Sequence, residues 1–533
     1  MHDFNVKIIK TIIVVFIIAI ILITLQGITV LKDNYYWRNQ YFVMQWDYLK
    51  TEVAFAQYKY GGLLNWIFSE KQNLSSNSST EKAQSVPILL YHGVIEDPNW
   101  KPDDVSIRLS DFQNQLFALK KAGYETIKLN DYLAFIKGQK ELPKKSFMIT
   151  FDDARSDSYY PVEPILKTLD YSAVMNVITG RSLSPQGSHN TFHLSKTELA
   201  KMVESGRWEM ASHTQNGHGY EKIDPNEKEG HFLSNRKWLA DKNRLETAAE
   251  FKKRIYDDLL KSKNDLEKQL GVKVLAFAYP FGDFGQASEN FPESRNIIID
   301  VAKSIFPLSF VQAGSSDFTT NYPENSFLAK RINVSSQISY QELLKIFENN
   351  ENKSINFSDD FSQDKGWVKS WGSVKIGKES LMIGDSQEED SGLVFLSGSY
   401  PWKDYFVQVK VVLLKGNAFA LSARYQDENN YVSCDFSDNH VSVTQRLAGK
   451  DMPDIEVPSP ANLIIGKEAI VGIQVKGDQA SCYINGQPVV NGPIDDKLDN
   501  GGISIKIWDT IERGSTLLVK SVKVGSDPAS LIK

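Results

Sequence analysis

Phe147-Met148-Ile149-Thr150-Phe151-Asp152-Asp153 is an apolar, β-branched run that ends in two adjacent carboxylates. A run without polar alternation reads as a strand buried on both faces, the pattern of a parallel sheet. Unpaired buried carboxylates are costly, so two acids closing such a strand need a physical reason. A cation supplies one, held by one acid while the other stays free to move protons. A solvated turn or a helix cap is the plainer reading, and the pair by itself does not separate the two.

Working outward, short apolar strands alternate with amphipathic helices from residue 86 to about 350. Strands are expected at 88–91, 147–151, 173–178, 208–212 and 274–279. The longest helix is expected at 247–270, where Phe251, Ile255, Leu259, Leu266 and Leu270 keep one face apolar. This alternation predicts an α/β domain over 86–350 with a parallel sheet or barrel.

The polar residues of this region gather after the strands. His92 follows the first, and Asp152 and Asp153 end the second, ahead of a helix-like run at 162–169. His213 and His218 follow strand 208–212, and Tyr279-Pro280-Phe281-Gly282 follows the last. In α/β barrels the loops after the strand carboxyl ends meet on one face, where sites form. On a helix, positions five apart lie roughly 140° round the axis. Gly217 and Gly219 therefore favour a loop, which can turn both imidazoles of His213 and His218 inward. Two histidines and a carboxylate with positions left for water is a layout for zinc or a related divalent metal.

Residues 86–350 resemble the polysaccharide deacetylase family (NodB-homology domain, carbohydrate esterase family 4), metal-dependent enzymes with a distorted (β/α) barrel. Thr150-Phe151-Asp152-Asp153 matches the family's first motif, Ser212-His213-Thr214 with His218 its second, and Tyr279-Pro280-Phe281-Gly282 its aromatic-Pro-aromatic-Gly motif. The histidine spacing is one longer than the commonest pattern, Ala154 stands where many members have Gly, and no Arg precedes Tyr279. A late Leu-x-His segment is missing; instead there is an early Leu90-Tyr91-His92-Gly93-Val94 and a late Lys330-Arg331-Ile332-Asn333-Val334. That combination resembles the branch that deacetylates poly-β-1,6-N-acetylglucosamine.

The resemblance implies Asp153, His213 and His218 as ligands of a divalent metal, Zn2+ first and Ni2+, Co2+ or Fe2+ as alternatives. It implies Asp152 as the base, His92 as the acid, and Tyr279 and Phe281 as the oxyanion and substrate segment, through a backbone N–H. Arg331 is the candidate to orient the base, or else a structural ion pair. The expected substrate is an N-acetylglucosamine exopolysaccharide; peptidoglycan, chitin-type or O-acetylated polymers are alternatives, as is an inactive polysaccharide-binding scaffold. His189, His193 and His231 read as surface or loop residues, and Trp208 as core.

The amino end sets the expected compartment. Residues 11–31 are uncharged and rich in Ile, Val and Leu, long enough to cross a bilayer, with Lys7 and Lys10 before them. We expect an uncleaved transmembrane anchor over 1–33, its amino end cytoplasmic and the rest of the chain outside the cell membrane. Membrane-bound polysaccharide synthesis or export proteins are then candidate partners. Residues 34–85 comprise an aromatic juxtamembrane segment and a polar linker at 73–84. The aromatic segment either lies on the membrane, meets another membrane protein, or packs as a helix on the main domain.

Beyond residue 354 alternating short strands appear, at 405–412, 431–436, 441–445, 469–475 and 503–508, punctuated by Asn485-Gly486 and Asn500-Gly501-Gly502. Residues 355–525 therefore read as an all-β sandwich resembling concanavalin-like or laminin-G-like jelly rolls. Trp367, Trp371, Trp402 and Trp508 are its candidates for sugar stacking, with a core role the alternative, and a calcium site near Asp360 is a further option. Cys434 and Cys482, the only cysteines, form one bridge or stay two buried thiols, and exclude a thiolate cluster. Net charge of −6 argues against nucleic acid as a partner.

Overall fold

The computed structural model describes residues 35–60, 81–183, 192–324, 326–377, 379–384, 391–459, 465–508 and 515–531. The expected anchor at 11–31, His189 and most of the linker lie outside the described residues. Among the described residues no helix is long and apolar enough to cross a membrane.

Seven parallel strands close into a ring: β1 (Val86–Tyr91), β2 (Ser146–Phe151), β3 (Ala173–Val177), β4 (Trp208–Ser212), β5 (Ala276–Ala278), β6 (Leu308–Gln312) and β7 (Leu328–Asn333). Each pairs with the next, and β1 closes the ring by pairing with β2 on one side and β7 on the other. Strand alternation splits the apolar residues into two layers. Leu89, Tyr91, Phe147, Ile149 and Phe151 pack outward under the helices. Ile88, Met148, Val174, Ala211, Ala276, Ala278 and Ala329 form the inner layer. The small inner residues leave space at the top of the barrel, where Arg331, 0% exposed, is accommodated. The fold is the distorted (β/α) barrel. Strands β6 and β7 escaped the sequence reading because Ser309, Lys330 and Arg331 interrupt their apolar runs.

The helices used below are α1 (Tyr35–Tyr60), α2 (Leu109–Lys121), α3 (Glu163–Leu169) and α4 (Ala248–Leu270). Helix α4 begins at a capping box of Thr247 and Glu250 and stops at Gly271, whose φ of 68° only glycine adopts without strain. Helix α1 takes the packed alternative: Phe55 and Tyr58 meet Phe117 of α2 at 4.9 and 5.7 Å, and Lys167 of α3 lies over Tyr48. The linker ends earlier than expected. Lys82 bridges to Pro143 and Ala83 donates to the Leu142 carbonyl, so 81–84 belong to the folded barrel.

The carboxyl-terminal part is a sandwich of two antiparallel sheets. One runs in the order β8 (Trp367–Gly372), β9 (Gly392–Leu396), β15 (Gly502–Trp508), β10 (Ala418–Asp427), β11 (Asn430–Ser437), β12 (His440–Leu447). The other includes β13 (Glu468–Lys476) and β14 (Gln479–Ile484), which turns at Asn485-Gly486. Cys434 of β11 and Cys482 of β14 are joined through the core between the sheets, so the bridged reading is the observed one.

Two of the four candidate stacking tryptophans take the core alternative. Trp367 and Trp402 are buried, their indole N–H groups donating to Asp359 and to the Lys353 carbonyl. Trp371 and Trp508 are half-buried. Near the suggested calcium site, Asp359 accepts from Phe361 N and Trp367, and Asp360 from Ser362. Among the described residues the one grouping of three or more potential metal ligands lies elsewhere. The barrel's 313–324 loop docks on the sandwich: Phe318 packs among Phe395, Tyr400 and Tyr425, and Tyr425 Oη donates to the Ser316 carbonyl.

Candidate active site

At the carboxyl end of β2, Phe151 faces the helices, and the next residue in the alternation, Asp152, turns into the barrel. It is 1% exposed. Arg331 of β7 holds it in a fork, Nη1 to Oδ1 at 2.6 Å and Nη2 to Oδ2 at 2.9 Å. Asn176 of β3 donates a third bond to Oδ1 at 2.8 Å. Thr150 Oγ1 accepts from Arg331 and donates to the Leu89 carbonyl, which fixes the guanidinium from below. Burial pushes the Asp152 pKa up, but the charges of Arg331, His213 and His92 and the fork itself outweigh it and bring it down to about 2.

Immediately after, the chain reverses through left-handed backbone at Asp153 (φ 73°) and Ala154 (φ 52°). Such a conformation costs roughly 1–2 kcal/mol at a non-glycine residue. Ala154 is fully buried there. The reversal aims Asp153 sideways. Its Oδ1 stands 3.4 Å from His213 Nε2 and 3.1 Å from His218 Nε2. That oxygen is buried and has no hydrogen-bond partner. One ligand atom from each of the three residues falls within 4.8 Å of the others.

Supporting bonds orient these groups. His213 donates Nδ1–H to the Ala278 carbonyl at 2.9 Å, which leaves Nε2 as the free lone pair. The stretch after β4 is a loop, with Thr214 left-handed at φ 74°. Asp258 of α4 accepts from the Gln215 and Asn216 amides at 3.0 and 2.8 Å and clamps the turn that delivers His218. An orphaned carboxylate oxygen facing two imidazole nitrogens, one with its tautomer fixed, suits a divalent cation with oxygen and nitrogen ligands.

His92 follows β1, the strand between β2 and β7. Its carbonyl accepts from Ser158, while Nδ1 is buried without a partner. Burial lowers its pKa, and Asp152 and Asp153 pull it back up only in part. It thus sits within the field of both acids.

Residues 139–294 match the family model described as polysaccharide deacetylase. This stretch is a polysaccharide deacetylase domain. The poly-beta-1,6-N-acetyl-D-glucosamine N-deacetylase of Staphylococcus aureus (strain MRSA252) is 30% identical over 177 residues, 33% of this chain and 54% of that protein. The protein of the same name from Escherichia coli (strain K12) is 27% identical over 202 residues, 36% of this chain and 30% of that protein. The chain thus spans about half the length of the first relative or less. A solved de-N-acetylase from Aggregatibacter actinomycetemcomitans is 21% identical, covers 49% of this chain and 99% of that one, and has a TM-score of 0.43.

The match to the deacetylase family contains Asp152, Asp153, His213, His218, Tyr279 and Phe281, whereas His92 and Arg331 lie outside it. The Tyr279–Phe281 segment divides. Tyr279 is fully buried against Phe277 and Phe284, and its amide donates to the Phe310 carbonyl. Neither its ring nor its N–H faces the site, which corrects its expected role. Pro280 has no N–H, so Phe281, left-handed at φ 60°, brings the remaining amide of the segment. Its ring is 40% exposed and packs on His218 at 4.4 Å.

Two histidines of the deacetylase domain that read as surface or loop residues are also tied into the site's surroundings. His193 is buried, with Nδ1 3.1 Å from the Asp153 carbonyl and Nε2 3.2 Å from Arg181. His231 pairs with Asp283 at 2.6 Å and stacks on Phe281 at 4.5 Å. Asn176, Asp258 and Asp283 went unnoticed in sequence because single polar residues, the first two inside a strand and a helix and the third in a loop, carry no periodic signal. Trp208 is core, as read, its indole bonded to Glu163.

Proposed function

We propose that this protein is a membrane-anchored, extracytoplasmic, metal-dependent N-deacetylase acting on an N-acetylglucosamine exopolysaccharide of the poly-β-1,6-linked kind. The observation that carries the proposal is the fork of Arg331 on Asp152, beside the Asp153, His213 and His218 cluster. A dead scaffold has no use for a buried, ionised acid next to three convergent ligand atoms. The names of the Staphylococcus aureus and Escherichia coli relatives support the substrate class.

Asp153, His213 and His218 would hold the metal, with Zn2+ the first candidate for a His2-carboxylate set. When bound, a divalent cation supplies Lewis acidity and makes a water acidic enough to lose its proton near neutral pH, within reach of a base like Asp152. Asp152 accepts that proton as the water oxygen adds to the acetamide carbonyl; Arg331 and Asn176 keep the carboxylate from rotating away. The Phe281 N–H is the chain's donor for the developing oxyanion. The amine leaves only when protonated, and His92 delivers that proton. The products are acetate and a glucosamine unit.

The expected single-pass anchor at 11–31 supports a position outside the cytoplasm for this domain. The Cys434–Cys482 bridge supports the same side, since structural disulfides persist in oxidising compartments. Membrane-bound synthesis or export proteins are then the natural neighbours of the enzyme.

Acetate release from a panel of polymers tests the proposal: β-1,6-linked poly-N-acetylglucosamine, chitin oligomers, peptidoglycan and an O-acetylated polysaccharide. Turnover is expected on the first, and Asp152→Asn is expected to lose at least about a hundredfold. Turnover on another polymer alone would move the substrate assignment. Polymer binding without acetate from any of them would leave the scaffold reading.

A further inference from the structure

We propose that the sandwich carries a saccharide-binding site of its own, separate from the barrel, in a pocket of about 260 Å³ walled by Trp371, Tyr425 and Tyr431 and floored by Ser422 and Ser504. The choice of sugar probe rests on the deacetylase reading; the site itself does not.

Strand register builds the floor. Leu421, Cys434 and Ile505 point into the core, so their neighbours Ser422, Ser433 and Ser504 point to the opposite face of the sheet. Ser504 pairs with Ser422, Ser422 with Ser433, and Ser433 with Thr444, which sets four hydroxyl residues in one row across β15, β10, β11 and β12. Small side chains in a row leave a depression between the bulkier Trp371 and Tyr431 at its edges. Ser504 is 0% exposed and its hydroxyl has no hydrogen-bond partner. Arg446 Nε, at the same pocket, is also buried and unpaired. Buried polar groups are ordinarily satisfied, and two orphans lining one pocket mark a place where a ligand's hydroxyls supply the missing bonds.

The lining is chemically mixed in the way a pyranose requires: aromatic faces for the ring's C–H surface, hydroxyls and charged groups for its rim. Arg446 is already paired with Asp451 at 3.3 Å, and Glu428 stands in the same lining, which suits a neutral polar unit better than a polyanion. The position is useful as well. The Tyr425 hydroxyl donates to the Ser316 carbonyl at 3.0 Å, on the loop that follows β6 from the catalytic end of the barrel. A long polymer held in the pocket is thereby tethered to the same chain as the acid pair.

The test uses the full chain. Retention of β-1,6-linked poly-N-acetylglucosamine and of dextran is measured in the Asp152→Asn background, alone and with Trp371→Ala or Ser504→Ala. Acetate release from the N-acetylglucosamine trimer is measured in the single pocket variants. Trp371→Ala is expected to weaken polymer retention about tenfold, Ser504→Ala to weaken it less, and both to leave trimer turnover unchanged. Ser504→Ala opens no large void, so it reports even if Trp371→Ala does not fold. Retention equal to the parent in a variant with an unchanged unfolding temperature would overturn the site. So would a parent that holds neither polymer. A wild type that releases no acetate, with retention still lost in the pocket variants, would sink the deacetylase reading and keep the pocket.

Discussion

Arg331 and Asp152, 179 residues apart, face each other as a fully buried fork, both guanidinium nitrogens on both carboxylate oxygens. Removing one partner of a buried pair leaves the other charge uncompensated, at a cost of roughly 3–5 kcal/mol. Arg331→Met is therefore expected to lower the unfolding temperature and activity together. Arg331→Lys keeps the charge and loses the planar fork; we expect near-normal folding with turnover down about tenfold or more. Wild-type turnover in a folded Arg331→Lys protein would show that the fork does not position the base.

Chelation should act on both activity and stability. The buried Asp153 oxygen has no hydrogen-bond partner, and a bound cation would satisfy it, so removing the ion would leave that cost in the native state. A ligand at a hundred times its dissociation constant stabilises by about 2.7 kcal/mol. Treatment with chelator is expected to abolish acetate release and lower the barrel's unfolding temperature, with Zn2+ restoring both. The shift should be absent in His213→Ala; an equal shift there would place the ion elsewhere.

The bridge between the two sheets spans a sequence separation of 48. Closing a loop of that length in the unfolded chain is worth about 4 kcal/mol by the chain-entropy model. Reduction, or Cys434→Ala with Cys482→Ala, should destabilise the sandwich by on the order of that figure and leave trimer turnover by the barrel intact. Calorimetry in the presence and absence of reductant reads this directly.

Asp435 gives the sandwich a pH dependence of definite sign. Burial, with the Asp454 carboxylate adding to it, pushes Asp435 up to about 6 from an ordinary 3.8. Between those values the folded state holds more protons than the unfolded one, so stability is greatest below the window and falls as pH rises through it. The loss by neutral pH is on the order of 2–3 kcal/mol. Asp435→Asn should flatten unfolding midpoints measured between pH 4 and 7. A slope unchanged from wild type would mean that Asp435 ionises normally.

Much of the barrel was legible because buried parallel strands write themselves as apolar runs. β1 to β4 lie within two residues of where the pattern put them, and so do the loops bearing His92, Asp152, Asp153, His213 and His218. Strands β6 and β7 were not, since β7 carries Arg331 inside a strand, and a charged residue at an inward position defeats periodicity. The same residue shows what a linear reading cannot give: that Arg331 meets Asp152 depends on ring closure, not on any spacing. The partners of His193 and His231 were hidden for a similar reason, as Asp153 and Asp283 lie 40 and 52 positions away. In the sandwich, β alternation marked the strands well, but it could not tell Trp367 and Trp402, turned inward, from Trp371.

The seam where β7 docks on β1 has a consequence for the protein's birth. A chain emerging from the ribosome carries both acids and both ligand histidines long before residue 331 is made. During that interval Asp152 lacks its guanidinium partner and β1 lacks one of its two neighbours. The candidate site is therefore complete only when the final stave of the barrel drops into place. A fragment cut to the family match would hold every signature motif and still be an unfinished enzyme.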